Sequence, residues 1–303
     1  MISHSTAYVL LTLNMALWGS SLVVARAAHE IVPPLAFTFW RWVIAVLVLL
    51  PIVWRKLPGT MPYVRRSWRS LSLLCGFMAV GTTLSVVAVN YTTAINASLI
   101  NGSQPILTAL AAFLVLRERL SRTSGLGVLV AFIGILIMIS HGRPQLFLDL
   151  AINIGDLLML IAVFAWAFYA VELHRHSAHP SGEVLLFFIA CTGLVTVLPF
   201  YIAETVFVRE FVPSRNGVAA IVYLSVAATL LAVYLWNLAI RSVGATHAAL
   251  FLNLIPVFGA AFAMLFLGES LYTFHLIGAA LVFLGIIMAV RDRLAISSDR
   301  VSN

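Results

Sequence analysis

The chain has 303 residues, of which 62% are hydrophobic and only 10% charged, and its formal net charge is +7. Soluble domains average roughly 45–50% apolar and about 25% charged residues, so lipid and not water must solvate much of this surface. The Lys and Arg excess gathers at the ends of apolar runs, where it sets membrane orientation and excludes nucleic acid as the partner.

In hydrocarbon the backbone must satisfy its own hydrogen bonds, which leaves helices or a closed barrel. The runs 43–53 and 126–139 are continuously apolar, whereas a barrel strand alternates. The expected fold is therefore an all-α integral membrane protein. A span needs about 20 residues. Cutting at charges and turn residues predicts ten spans: 6–26, 34–54, 70–90, 94–116, 123–140, 153–173, 183–203, 217–240, 246–267 and 271–290. The first lacks a cationic n-region and an A-x-A-like site, so it reads as a retained span, not a signal peptide. Tyr91-Thr92-Thr93 and Gly268-Glu269-Ser270 nearly fuse the spans they join, and the tail from Arg291 is polar. Cys75 and Cys191 lie inside apolar runs and offer no disulfide framework.

With the N-terminus inside, the inner segments hold Arg55, Lys56, Arg65, Arg66, Arg69, Arg117, Arg119, Arg122, Arg175, Arg241, Arg291, Arg293 and Arg300. The outer loops hold only Arg143, Arg209 and Arg215. The positive-inside rule then places both termini in the cytoplasm.

Residues 94–139 align without gaps onto 245–290, an offset of 151, with 14 identities in 46 positions. Shared apolar composition accounts for about 10–15%, so this is an internal repeat. Pro105/Pro256, Glu118/Glu269, Gly127/Gly278 and Gly134/Gly285 fall in order. A weaker match pairs Trp18 with Trp166 and Val23 with Val171. Five spans per half is odd, so the second half enters the membrane upside down, a plan that recurs in secondary transporters.

Ala16-Leu17-Trp18-Gly19-Ser20, Arg26, Phe39-Trp40-Arg41, Tyr91-Thr92-Thr93-Ala94, the Pro105 region and Leu116-Arg117-Glu118-Arg119-Leu120 carry a resemblance in the first half. Gly155-Asp156, Ala165-Trp166-Ala167, Pro256 and Leu267-Gly268-Glu269-Ser270-Leu271 carry it in the second. Across nearly its whole length the chain resembles the EamA-type members of the drug/metabolite transporter superfamily. The resemblance implies two inverted five-helix halves around a central cavity, 1–148 and 149–293, followed by a polar tail at 294–303. It also implies export of amino acids, related metabolites or toxic compounds, with no pattern that fixes the substrate.

Arg41 lies about 10 Å into the second span at 1.5 Å per residue. A charge near a helix centre costs ~2.5–3.5 kcal/mol. It either holds a substrate carboxylate in a bidentate contact or ties helices together through carbonyls and snorkels. Arg26 reads as an interfacial residue near a helix C-terminus. Pro105 and Pro256 interrupt corresponding spans and are candidate hinges. Asn101, Ser103, Gln104 and Asn253 gather at those breaks, either as a polar cavity wall or as amides that mend the ladder. Trp18, Trp166, Tyr169 and Trp236 lie within spans, Trp18 and Trp166 deeper than an interfacial belt; they line a cavity or simply pack. Asn14 and Ser21 share the first span with Trp18. Glu118 and Glu269 suit turn geometry and capping, and Asp156 suits an N-cap or first-turn position.

His174, His176 and His179 form the one metal-like cluster, and a solvated loop explains them better than zinc. His247 reads as a packing residue. The acidic residues all fall near span ends, which weakens a carboxylate-based antiport. No phosphate-binding G-x-x-x-x-G-K-[ST] run is present. No cofactor, metal or nucleic acid is expected; the partners are a small solute and membrane lipid, and a monomer suffices. A membrane enzyme would need a convergent acid or metal motif, and a channel would need a ring of polar residues. The inverted repeat has no use in an enzyme. The expectation is a secondary transporter in a bacterial inner membrane, not an enzyme.

Overall fold

A computed structural model describes residues 3–117, 122–143, 153–175 and 182–301. Every regular element among the described residues is helical. The chain up to residue 143, its first stretch, contains α1 (His4–Ala27), α2 (Pro34–Val53), the short amphipathic α3 (Leu57–Arg66), α4 (Trp68–Ala88), α5 (Ala94–Asn101), α6 (Gln104–Leu116) and α7 (Arg122–Ile139). The second contains α8 (Ile154–Arg175), α9 (Gly182–Phe207), α10 (Arg215–Val222), a π-helical segment (Tyr223–Leu231), α11 (Ala232–Phe251), α12 (Leu254–Leu267) and α13 (Thr273–Val301).

Among the described residues, seven helical segments are long and apolar enough to cross a membrane. The pair α5–α6 makes an eighth, bent by 44° at its break, and α12 and the first part of α13 are shorter apolar helices. The protein is thus a multi-pass helical membrane protein. Two boundaries differ from the sequence reading. Helical structure runs unbroken from Ala232 to Phe251, across the connection expected at 241–245. The span expected at 246–267 is instead interrupted at Leu252-Asn253, between α11 and α12.

The interruption in the first stretch falls at Gly102-Ser103, and Pro105 stands in the first turn of α6. Both interruptions sit just before the prolines, because a proline has no N–H to donate and favours a helix start. The Leu252 carbonyl is not left free: it accepts the Ile255 N–H at 3.1 Å in a tight turn. The two breaks touch, since a Cβ on Gly102 would lie 3.1 Å from the Pro256 ring. Twelve residues beyond each proline the symmetry recurs: α6 ends on Arg117 with φ 55° and α12 on Gly268 with φ 65°. These positions are equivalent at the 151-residue offset.

Packing is interleaved. α1 lies against α11 and α12, while α8 lies against α4 and α6; α2 packs on α9, and α7 on α13. In the last pair a Cβ on Gly134 would come within 2.6 Å of the Gly278 carbonyl, and one on Gly285 would clash with the Gly127 carbonyl. Contact of 127 with 285 and of 134 with 278 means that the helices run antiparallel. The offset exchanges the two contacts. Glycines let backbones approach closely where lipid gives no hydrophobic drive to associate.

Gly134→Val should therefore lower stability by about 1–3 kcal/mol, as overpacked sites do. Gly125→Ala, where a Cβ would meet nothing within 4 Å, should leave it unchanged. Thermal unfolding of the purified protein in detergent distinguishes the two.

Candidate functional site

At one end of the bundle, the segments around 91–93, 141–143 and 268–275 surround a cavity of about 1210 Å³. Arg26, Thr92, Asn96, His141, Glu269 and His275 are among its lining residues. Four charged side chains finish helices here and nearby. Glu269 accepts the N–H groups of Ala94 and Ile95, both at 2.8 Å, beside the N-cap contact of Thr93 with the Asn96 N–H. Glu204 does the same for Leu35 and Ala36 at 3.2 and 2.8 Å. Arg26 donates through Nη1 to the carbonyls of Val89 and Asn90, and Arg209 donates to those of Glu30 and His29. Carboxylates at helix N-termini and guanidinium groups at C-termini complement the helix dipole. The capping role expected of Glu269 is thus exerted on α5, far away in sequence. Glu118 lies outside the described residues.

Behind the cavity wall Asp156 is fully buried. Its carboxylate accepts from Thr92 Oγ1 and from Asn96 Nδ2, the latter at 3.1 Å to either oxygen. His141 Nε2 stands 3.5 Å away, and Asn96 Oδ1 contacts His275 Nε2 at 2.7 Å. The sequence reading placed Asp156 in the first turn of its helix, and it is there, but the cap of α8 is Asn153, whose Oδ1 accepts the Gly155 N–H at 2.7 Å. Sequence depth misjudged Asp156 because burial at a helix end depends on what neighbouring segments lay over it. Asn96, His141 and His275 were not singled out; polar residues at matching depths of three spans were the available signal.

None of the residues singled out as substrate-binding or hinge candidates lines this cavity. Arg41 reaches from α2 to the π segment, where Nε and Nη2 donate to Thr229 Oγ1 at 3.0 and 2.7 Å, and its guanidinium lies 5.4 Å from the Trp42 ring centre. Thr229 in turn donates to the Leu224 carbonyl, five residues back. Trp18 pairs with Trp236 at 5.6 Å between α1 and α11. Trp166 meets Tyr169 edge-on at 5.9 Å along α8 and presses on Gly81 of α4. The aromatic residues therefore form two separate pairs. Asn14 is buried and donates to the Ala232 carbonyl, and its Oδ1 has no partner among the described residues. Ser21 bonds the Trp18 carbonyl. Asn101 and Gln104 flank the break between α5 and α6, and Asn253 stands at the break before α12; all three are half-buried. Of the expected histidine cluster, His176 and His179 lie outside the described residues. No group of three metal-ligating side chains occurs among the described residues.

Long apolar helices with matched breaks and a cavity at one end describe a polytopic membrane protein. The chain belongs to the EamA-like transporter family, whose profile matches residues 5–140 and again 153–291. It is 28% identical over 288 residues to an uncharacterized transporter of Archaeoglobus fulgidus, covering 93% of this chain and 96% of that one. It is 27% identical over 297 residues to a protein of Salmonella typhimurium named a probable amino-acid metabolite efflux pump, covering 92% of each. A solved crystal structure aligns over 96% of this chain and 99% of its own, with a TM-score of 0.61 at 20% identity, which shows a shared fold.

Replacing Glu269 by Ala should destabilise the protein by about 1–2 kcal/mol, the scale of a lost helix cap. Glu269→Gln, which keeps an acceptor oxygen, should cost less. Thermal midpoints in detergent order the three proteins.

Proposed function

We propose that this protein is a secondary transporter that exports small metabolites, such as amino acids or their derivatives, by alternating access. It is not an enzyme in this reading. It has ten spans in two inverted five-helix halves, 1–148 and 149–293, with both termini in the cytoplasm of a bacterial cell and the protein in its inner membrane. The cavity by Glu269 and His141 then faces outward. The observation that carries the proposal is the antiparallel α7–α13 pair, whose glycine contacts the internal offset exchanges. The double match of one family profile to the chain agrees with it. The efflux names of relatives near 25% identity favour amino-acid metabolites over toxic amphipathic compounds.

The path runs through the bundle centre in this proposal. Asn14 Oδ1, Thr82 Oγ1 and Ser98 Oγ are buried without hydrogen-bond partners among the described residues. Each such group costs about 1–3 kcal/mol, a cost relieved when the bundle rearranges and a solute contacts them. Trp18, Trp166, Tyr169 and Trp236 supply apolar walls, Ser21, Asn101, Gln104 and Asn253 supply polar contacts, and Pro105 and Pro256 act as hinges. Arg41 takes the solute carboxylate; only Nε and Nη2 of its guanidinium are engaged among the described residues.

Cells overproducing the protein and loaded with mixed dipeptides should release the derived amino acids several-fold faster than cells without it. Arg41→Gln and Arg41→Lys should reach the membrane but release them at the background rate. Full activity in both variants removes Arg41 from the substrate site, and equal release with and without the wild-type protein sinks amino-acid export.

A further inference from the structure

The buried cluster behind the cavity joins both stretches of the chain. Thr92, Asn96 and His141 come from the first, Asp156 and His275 from the second. The protonation state of His275 follows from its partners. Its Nδ1 accepts the Tyr272 N–H at 3.0 Å, so the ring proton sits on Nε2 and is donated to Asn96 Oδ1. That bond fixes the Asn96 amide with its nitrogen toward Asp156. A second ring proton on His275 would face a backbone N–H, so this ring is held neutral.

His141 is locked less firmly: the Asn96 amide nitrogen lies 3.3 Å from its Nε2 but 3.1 Å from both Asp156 oxygens, so its hydrogens go to the carboxylate and Nε2 can carry a proton toward Asp156. The His141 side chain is 40% exposed, it lines the cavity, and its Nε2 lies 3.5 Å from Asp156 Oδ2. Two other charged groups around the cluster are engaged elsewhere. On the α12–α13 connection, Glu269 uses both oxygens on α5, and Arg26 of α1 caps α4. Arg143, after α7, and the phenols of Tyr91 and Tyr272 line the cavity. Among the described residues none of these is an ion-pair partner of Asp156, and His141 is. A buried carboxylate needs a counter-charge or a proton. Among the described residues the one ion pair of Asp156 is with His141, which supplies a counter-charge when protonated.

We propose that Asp156, reached through His141, is a proton-binding site that couples proton movement to solute transport; the coupling half rests on the transporter reading above. A proton from the cavity adds to Nδ1 of His141, and the proton on Nε2 passes to Asp156 Oδ2. The ring is left neutral with its tautomer exchanged, and the carboxyl is uncharged. Thr92 and Asn96 then lose a charged acceptor. Charge-assisted hydrogen bonds are roughly twice as strong as neutral ones, so proton loading loosens the tie between the two stretches and proton release tightens it.

Two measurements test this. The first needs no solute: infrared difference spectra of the protein in lipid vesicles between acid and alkaline buffer. A protonated-carboxyl band should titrate in the wild type, vanish in Asp156→Asn and shift its midpoint in His141→Gln. No titrating band, or one untouched by both variants, overturns the proposal. The second is efflux from proteoliposomes filled with mixed amino acids. Wild-type accumulation ratios should change by up to about tenfold per pH unit of imposed gradient for one proton exchanged, while Asp156→Asn should be indifferent to the gradient. Efflux that ignores the gradient in the wild type overturns coupling but leaves export standing. A titrating Asp156 band with no efflux at any gradient supports the proton site and removes amino-acid export. If Asp156→Asn does not fold, the midpoint shift in His141→Gln decides.

Discussion

A backbone amide inside hydrocarbon has no water to turn to, and most of this structure follows from that constraint. Each helix end must find a partner of its own. Here several partners are charged side chains that arrive from far away in the chain. The amides that open α2 meet Glu204, and those that open α5 meet Glu269. The carbonyls that close α4 and the turn after α1 meet Arg26 and Arg209. Secondary structure in this protein is therefore completed by tertiary structure: a helix end and the residue that satisfies it are separate elements until the bundle assembles.

The same constraint governs the interior. Where α5 gives way to α6 and α11 to α12, the helical ladder is interrupted, and the freed groups are held by tight local turns such as those at Ser103 and Leu252. The breaks lie against each other, so irregular backbone is shielded by protein and not by lipid. The π segment is a third departure from regular geometry. Its widened turn is bridged by the Thr229 hydroxyl, and Arg41 binds that hydroxyl from α2. Widened turns of this kind are frequent at functional sites.

The fold class, the transporter family and the paired breaks were legible in the sequence because they follow from composition, from the repeat and from proline chemistry, all of which act locally. The connection expected at 241–245 was misplaced: Gly244 and Arg241 resemble a turn, yet the helix persists through them. The polar cluster was the harder problem. Asp156, Asn96, His141 and His275 belong to four different helices or helix ends, and each alone resembles a capping or surface residue. Only the antiparallel crossing of α7 and α13 and the lateral contact of α5 with α8 bring them together. Arg41 shows the opposite case. Its presence in a span announced an unusual contact, but its acceptor, a threonine in the π segment, could not be read from spacing.

The interleaved packing has a mechanical corollary. α1 is seated on α11 and α12, and α8 on α4 and α6, so each block draws members from both stretches of the chain. The block boundaries do not coincide with the boundary of the sequence repeat. Two antiparallel pairs, α2 with α9 and α7 with α13, each join a helix of the first stretch to one of the second. A rocking motion that preserves these contacts cannot swing one stretch of the chain against the other; its levers are hybrids of both.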